Sequence, residues 1–190
     1  MLVGILALQG SFVEHAHSLE LLNIPYIFVK TKEELDKVDG LIIPGGESTV
    51  ISKLLKIFDL FDLLKERLNS GMPCYGTCAG LIVLAKNIIG ENPHLEAIDI
   101  TVRRNAYGTQ ISSFSTDVLI KEFSEQPIPL VFIRAPWIEE VGKNCQVLVE
   151  LEGRIVAARQ QNILVTSFHP ELTDDVSVHN YFINMIKNRI

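Results

Sequence analysis

The segment 73–81 contains the clearest sign of chemistry in the chain, because a short apolar strand runs through Gly-Thr-Cys-Ala-Gly into an apolar helix. The pattern Gly-x-Cys-x-Gly is the cysteine form of the nucleophile elbow, a strained strand-to-helix turn that exposes its central side chain. Gly76 and Gly80 supply the small residues that must flank such a turn. The helix that follows Cys78 directs unpaired N–H groups at the sulfur and favours the thiolate. Cys78 is therefore a candidate nucleophile, the alternative being a structural cysteine beside a glycine-lined turn.

A histidine that could act as the base lies near the end of the β-rich segment 163–171. Glu171 follows His169 by two positions, and side chains two apart on an extended backbone share a face. Pro170 restrains the backbone between them and biases His169 away from helix. The carboxylate could then fix the tautomer of the imidazole. Cys78, His169 and Glu171 are far apart in sequence, but a catalytic triad is defined by geometry and not by sequence distance.

The other histidines offer weaker chemistry. His15 and His17 are two positions apart on a predicted helix, so they point in different directions and cannot share a metal ion; we expect both on a solvated helix surface. His94 lies in a loop and His179 on the last helix, and neither has a paired carboxylate or a close apolar strand. His-x-x-x-His and Cys-x-x-Cys spacings do not occur, so we expect no metal and no cofactor.

The loop 44–49 is the second unusual turn, because it leaves a buried strand, turns on Gly45 and Gly46 and enters a helix. Glycine backbone N–H groups can face a ligand, so the loop could bind a carboxylate or stabilise an oxyanion. It lacks the spacing and the lysine of a phosphate-binding P-loop. The alternative is an ordinary strand-to-helix turn with Ser48 or Thr49 as the N-cap, and the loop alone leaves both interpretations open.

The elements that must position these residues alternate along the first half of the chain. Apolar runs typical of strands buried on both faces occupy 2–8, 26–29, 41–43 and 73–75. Helical segments occupy 12–22, 32–38 after a capping box of Thr31 and Glu34, 49–69 with a break near Asp59, and 81–86. Later strands are predicted at 98–103, 110–120, 130–133, 147–151, 155–159 and 163–168, with a hairpin turn at Glu152-Gly153 and a final helix at 176–190. This order predicts right-handed βαβ units with ligands bound beyond the carboxyl ends of the strands.

Composition sets the class of protein. The 190 residues are 47% hydrophobic and 21% charged, which is typical of one globular domain spanning 1–190. Apolar runs stay shorter than the roughly 18 residues of a membrane span, so we expect no membrane partner. The net charge of −6 leaves no cationic field for a phosphate backbone, so nucleic acid is not expected as a partner either.

The cysteines and the N-terminus indicate the compartment. Three cysteines are too few for a disulfide framework and favour a reducing compartment, so we expect a cytoplasmic protein in which Cys74 and Cys145 are inert. The apolar segment Met1–Leu8 has no basic flank and is expected to form a buried strand and not a signal peptide.

Together, segments 44–48, 76–80 and 168–171 closely resemble the class I, triad-type glutamine amidotransferases, and more narrowly the glutaminase subunits of pyridoxal 5'-phosphate synthase. Further matching segments run along nearly the whole chain: Leu8-Gln9-Gly10, 45–49, 76–82, Arg104-Asn105, Tyr107-Gly108, 133–136 and 168–173. Ile82 stands where many amidotransferases carry glutamine, which agrees with the vitamin-forming branch. The resemblance implies an α/β, flavodoxin-like three-layer sandwich: a central, mostly parallel sheet, helices on both faces and an antiparallel C-terminal extension.

The resemblance also implies a role for each residue of the site. Cys78 would attack the side-chain amide of L-glutamine, His169 would pass the proton to departing ammonia, and Glu171 would orient His169. The oxyanion would be met by backbone N–H groups around Gly45, Gly46 and Ala79, with a contribution from Gln9. The α-amino and α-carboxylate ends of the substrate would be held by Gly46, Glu47, Ser48, Arg104, Ile133 and Arg134. Whether Arg103 or Arg104 points inward stays open.

The partner implied by the resemblance is a separate (β/α)₈-barrel synthase subunit, which joins the ammonia to a pentose phosphate and a triose phosphate. Docking near Leu8-Gln9-Gly10 and the glycine loop would complete the oxyanion hole. Two alternatives remain at this stage. One is another cysteine hydrolase of the same fold, such as a γ-glutamyl hydrolase or a peptidase, and the other is a non-catalytic regulatory subunit.

Overall fold

A computed structural model of the chain describes residues 1–104 and 113–189. Its strands, in chain order, are β1 (Val3–Leu6), β2 (Tyr26–Val29), β3 (Gly40–Ile43), β4 (Cys74–Thr77), β5 (Ala85–Ile88), β6 (Ile98–Arg103), β7 (Ser113–Val118), β8 (Ile128–Ile133), β9 (Trp137–Val141), β10 (Gln146–Leu151), β11 (Arg154–Gln160) and β12 (Ile163–Thr166). Its helices are α1 (Phe12–Leu21), α2 (Lys32–Lys37), α3 (Ser48–Ile57), α4 (Phe61–Asn69), α5 (Ala79–Leu84), a 3₁₀ helix (Pro170–Leu172) and α6 (Ser177–Lys187).

The large sheet begins with parallel strands in the order β2-β1-β3-β4-β12. Alternate residues of β3 face opposite sides: Leu41 and Ile43 join one core and Ile42 the other. Helices α2 to α5 pack on the first side, and α1 and α6 cover the second. Both faces of the strands are therefore buried, which is why β1, β3, β4 and β12 are apolar or small at nearly every position.

Beyond β12 the sheet becomes mostly antiparallel through β11, β9, β6 and β5, and β10 pairs with the outer part of β11. The predicted hairpin turn is confirmed, because Leu151 pairs with Arg154 and both Glu152 and Gly153 have positive φ, as a tight I′ turn requires. Strands β7 and β8 form a separate antiparallel pair. The flavodoxin-like α/β class predicted above is therefore confirmed.

Some predicted boundaries are confirmed and others are wrong. The long helical segment does break at Asp59, which has a φ of 57°, and Thr31 and Glu34 do form a capping box. The helix predicted over 81–86 instead ends at Leu84, and the chain continues directly as β5. Strand β9 was missed because Glu139 and Glu140 interrupt its apolar alternation. Residues 110–112 of the predicted strand 110–120 lie outside the described residues.

Within residues 1–104 and 113–189, no helix is both long enough and apolar enough to cross a membrane.

Candidate active site

The turn between β4 and α5 has the strained geometry of a nucleophile elbow. Cys78 has a φ of 48° and a ψ of −99°, a backbone conformation that non-glycine residues rarely adopt. A Cβ atom on Gly76 would lie 2.6 Å from the carbonyl carbon of Gly80, and one on Gly80 would lie 2.1 Å from the backbone oxygen of Ile43. Neither glycine can therefore be replaced without moving the backbone. The backbone N–H of Cys78 donates to Thr166 at 2.8 Å and ties the elbow to β12.

The histidine and the glutamate predicted to work with Cys78 lie just after β12. Nδ1 of His169 lies 2.7 Å from Oε1 of Glu171, so the predicted pairing is present. The extended backbone expected for this pairing is wrong, because Glu171 lies in the 3₁₀ helix with Pro170 at its first position. Proline has no N–H to lose there and its fixed φ suits the first turn of a helix. The backbone N–H of His169 donates to Val131 on β8 at 2.8 Å, which anchors the start of this turn.

The side chains of His169 and Cys78 both lie beside Gly45. A Cβ atom on Gly45 would lie 2.4 Å from Cε1 of His169 and 3.5 Å from Cβ of Cys78, so both side chains flank the same glycine. Burial of His169 opposes its protonation, but its interactions with the neighbouring Cys78 sulfur and with the Glu171 carboxylate outweigh burial and raise its pKa to about 10. The imidazolium form is therefore favoured at neutral pH.

The Glu171 carboxylate is buried, with 4% of the residue exposed. Burial alone would raise its pKa, but His15, the hydrogen bond from His169 and a 2.7 Å hydrogen bond donated by Oγ of Ser11 lower it to about 2. The carboxylate therefore stays ionised and acts as an acceptor.

Hydrogen bonds join the glycine loop to the turn that leaves β1. The side-chain oxygen of Gln9 accepts from the backbone N–H of Glu47 at 2.8 Å, and the N–H of Ser11 donates to Gly45 at 3.0 Å. Glu47 is the N-cap of α3, where its side chain accepts from the N–H of Thr49 at 3.2 Å. The expectation that Ser48 or Thr49 would be the N-cap is wrong, because the helix already begins at Ser48.

A cavity of about 560 Å³ opens at the carboxyl ends of β1, β3 and β4. It is lined by Gly10, Ser11, Gly45, Gly46, Glu47, Ser48, Cys78, Ala79, Ile82, Arg104, Ile133, Arg134, His169 and Leu172. The candidate nucleophile, the candidate base and every residue predicted to hold the substrate are therefore brought together. Gln9, predicted to help with the oxyanion, is not among the described lining residues, and its side-chain oxygen is used by the glycine loop.

The structure distinguishes the two neighbouring arginines. Arg104 lines the cavity and is held by Glu91, at 2.7 and 2.8 Å, and by Glu47, at 2.9 Å. Arg103 is exposed and pairs with Glu139, away from the cavity lining. Arg104 is therefore the arginine that can meet an anionic ligand here, while the following residues Asn105, Tyr107 and Gly108 lie outside the described part of the chain.

His15 was expected at the protein surface, and the structure shows that this prediction is wrong. His17 is exposed as expected, but His15 is fully buried, with Nε2 3.1 Å from Oγ1 of Thr77 and Nδ1 2.9 Å from Nε2 of His179. His179, which showed no partner in sequence, is fully buried as well. Helical periodicity was the available signal, since His15 lies three and four positions before the buried residues Ser18 and Leu19 of α1.

A metal centre has no candidate ligands in the part of the chain that the structure describes: no group of three or more His, Cys, Asp or Glu side chains could hold an ion there.

Comparison with known proteins shows the family of the chain. The chain matches the family model described as the SNO glutamine amidotransferase family over residues 5–188. The pyridoxal 5'-phosphate synthase subunit PdxT of Clostridium botulinum is 53% identical over 190 residues, which cover 98% of each chain. The protein of the same name from Ruminiclostridium cellulolyticum is 53% identical over 186 residues, covering 97% of this chain and 98% of the relative.

Solved structures of glutamine amidotransferases are similar to the chain as well. A crystal structure of a glutamine amidotransferase is similar with a TM-score of 0.92 and 42% identity, covering 97% of this chain and 98% of the other. A glutamine amidotransferase from Thermotoga maritima has the same fold, with a TM-score of 0.62 at 17% identity, covering 100% of this chain and 85% of the other. The family resemblance inferred from the motifs is thereby confirmed: the chain belongs to the SNO glutamine amidotransferase family.

Proposed function

We propose that the protein hydrolyses L-glutamine to L-glutamate and ammonia with Cys78, His169 and Glu171, and passes the ammonia to a partner subunit that makes pyridoxal 5'-phosphate. The observation that carries the proposal is the placement of His169: its Nδ1 lies 2.7 Å from the buried Glu171 carboxylate, and its imidazole lies beside Gly45 together with the Cys78 side chain. A base held in this way between nucleophile and orienting carboxylate is the arrangement that acyl transfer requires. The full-length PdxT relatives support the same activity.

The proposed reaction starts from the imidazolium form of His169. The Cys78 sulfur attacks the amide carbon of the glutamine side chain, and the carbonyl oxygen takes the electron pair of the C=O bond. His169, as imidazolium, donates its Nε2 proton to the amide nitrogen, so ammonia leaves and a thioester remains. Water then gives a proton to neutral His169 and attacks the thioester, which releases L-glutamate and regenerates the thiolate–imidazolium pair.

The oxyanion is best placed to meet backbone N–H groups of the lining residues. Ala79, the residue after the nucleophile, begins α5 and lines the cavity, and Gly45 and Gly46 form another part of its wall. Such fixed donors stabilise a developing charge without having to reorganise. Gln9 supports this wall indirectly, by accepting from Glu47.

Glutamine recognition is assigned to the charged residues of the cavity wall. Arg104 and Arg134 present guanidinium groups that suit an α-carboxylate, and Glu47 presents a carboxylate that suits an α-amino group. Ser48 contributes a buried hydroxyl that makes no hydrogen bond within the described residues, and Gly46 and Ile133 complete the wall. This set of charges matches a free amino acid.

The partner would be a (β/α)₈-barrel synthase in the cytoplasm, with residues 1–190 acting as one domain. Apolar surface at the cavity wall supports a protein partner there, since Ile133 and Leu172 line the cavity and each is 42% exposed. Covering this mouth would shield ammonia from water and protonation.

Removing the nucleophile tests the proposed reaction. Cys78→Ala and His169→Gln should each lower ammonia release from L-glutamine by at least about 1,000-fold, whereas Glu171→Gln should keep more activity because it removes only the orienting group. Cys145→Ser, which changes a cysteine outside the cavity, is the control and should keep full activity. Ammonia release that survives Cys78→Ala would refute the proposal, and release only from peptides or γ-glutamyl conjugates would assign the site to another hydrolase.

The charge on His169 can be titrated directly. Because Glu171 helps to raise the pKa of His169 to about 10, Glu171→Gln should shift its titration midpoint to lower pH. NMR of histidine-labelled protein measures this midpoint, with the signal assigned by its loss in His169→Gln. Glu125→Gln, an exposed carboxylate, should leave the midpoint unchanged. An unchanged midpoint in Glu171→Gln would contradict the assigned coupling.

The role of the partner can be measured by glutamine turnover with and without the synthase subunit. If docking completes the oxyanion wall near Gln9 and Gly10, turnover should rise when the synthase is added and should not rise with serum albumin. Complex formation is checked by analytical ultracentrifugation in the same buffer. Equal turnover of the free and the complexed protein would rule out this coupling.

A further inference from the structure

A pair of buried histidines lies behind the candidate triad, and the proposed reaction makes no use of it. His15 on α1 and His179 on α6 are both fully buried, and Nδ1 of His15 lies 2.9 Å from Nε2 of His179. The other nitrogen of His15, Nε2, lies 3.1 Å from Oγ1 of Thr77 and 3.6 Å from Oε1 of Glu171. His15 therefore contacts the residue before the candidate nucleophile and faces the carboxylate that holds His169.

Burial favours the neutral form of both imidazoles of the pair. Burial lowers the pKa of His15, against the opposing attraction of the Glu171 carboxylate and together with repulsion from His169. Burial also lowers the pKa of His179, to about 3. Since a neutral imidazole carries one N–H group and one bare nitrogen, the position of its proton decides what His15 presents to Glu171.

The surroundings select one arrangement of the two protons. In the first arrangement, His15 donates from Nδ1, and its bare Nε2 faces the Glu171 carboxylate. His179 then accepts at Nε2 and carries its proton on Nδ1, which has no hydrogen-bond partner among the described residues. If His179 donates from Nε2, His15 carries its proton on Nε2, directed at Thr77 and Glu171. The second arrangement avoids a buried unpaired N–H group and a lone pair facing a carboxylate.

We propose that His15 is a positioning residue for the triad and that His179 fixes its tautomer. Oε1 of Glu171 then faces Nδ1–H of His169 and the hydroxyl of Ser11, each at 2.7 Å, and the N–H of His15 at 3.6 Å. These donors converge on one oxygen, whereas Oε2 makes no hydrogen bond within the described residues. They therefore keep that oxygen directed at His169. His15 does not line the cavity, so it acts through Glu171 and not by contact with the substrate.

A double-mutant cycle tests this role, which rests on the proposed glutaminase activity. His15→Phe keeps a ring but removes both nitrogens, and it is compared with Glu171→Gln and with the double substitution, all assayed with the synthase partner. We expect His15→Phe to lower kcat roughly 10- to 100-fold with little change in KM, since small misplacements of a catalytic group have effects of this size. In the Glu171→Gln background the same change should lower kcat less than about two-fold.

An equal loss in both backgrounds would overturn the positioning role while leaving the glutaminase proposal intact. Absence of ammonia release by the unmodified protein would instead overturn the glutaminase proposal. The matched control is His17→Phe, an exposed histidine on the same helix, which should leave kcat unchanged. His15→Gln, which keeps an N–H donor, should recover much of the lost activity.

Two further measurements keep the proposal testable if His15→Phe does not fold. His179→Phe leaves His15 in place but removes the donor that fixes its tautomer, so kcat should fall with Glu171 present and not in the Glu171→Gln background. Nitrogen-15 NMR of histidine-labelled protein reads the tautomer directly. A proton on Nε2 of His15 is expected, and a proton on Nδ1 would overturn the assignment.

Discussion

The hydrogen bond between His169 and Glu171 is the contact on which the rest of the site depends. It is 2.7 Å long and buried, and it joins His169, the N-cap of the 3₁₀ helix, to Glu171 inside that helix. A buried carboxylate has no water to stabilise its charge, so protein donors must do so. One of them is the hydroxyl of Ser11, just before α1, and the orientation of the imidazole therefore depends on two distant parts of the chain.

Neighbouring strands of the parallel sheet bring these parts together. The turns leaving β1, β3, β4 and β12 carry Ser11, Gly45, Cys78 and His169 in that order, and these strands are adjacent in the sheet. The turns approach so closely that side chains are excluded: a Cβ atom on Gly10 would lie 1.8 Å from the backbone oxygen of Gly45. The glycine loop, the nucleophile and the base therefore lie on turns that pack against one another, as expected at the carboxyl edge of a doubly wound sheet.

Local sequence patterns were sufficient for the α/β class and the elbow, because short-range sterics and hydrophobic periodicity determine these features. The pairing of His169 with Glu171 is present, but the 3₁₀ helix that produces it replaces the extended backbone on which the prediction was based. The sequence patterns failed for side chains whose burial or direction depends on tertiary contacts. His15 is polar and was expected at the surface, but the side chains that satisfy it, from Thr77 and His179, come from other elements of the fold. The choice between Arg103 and Arg104 also needed the fold, because Glu91 and Glu139 hold the two side chains in different places.

The central claim is that Cys78, activated by His169 inside this cavity, is the residue that attacks glutamine. Reaction with a chloroketone analogue of glutamine, followed by mass spectrometry of the peptides, tests it most directly. The account predicts one adduct per chain, on Cys78, that forms more slowly when L-glutamine is present and in His169→Gln. Adducts on Cys74 or Cys145, or a rate of labelling that L-glutamine does not change, would contradict it.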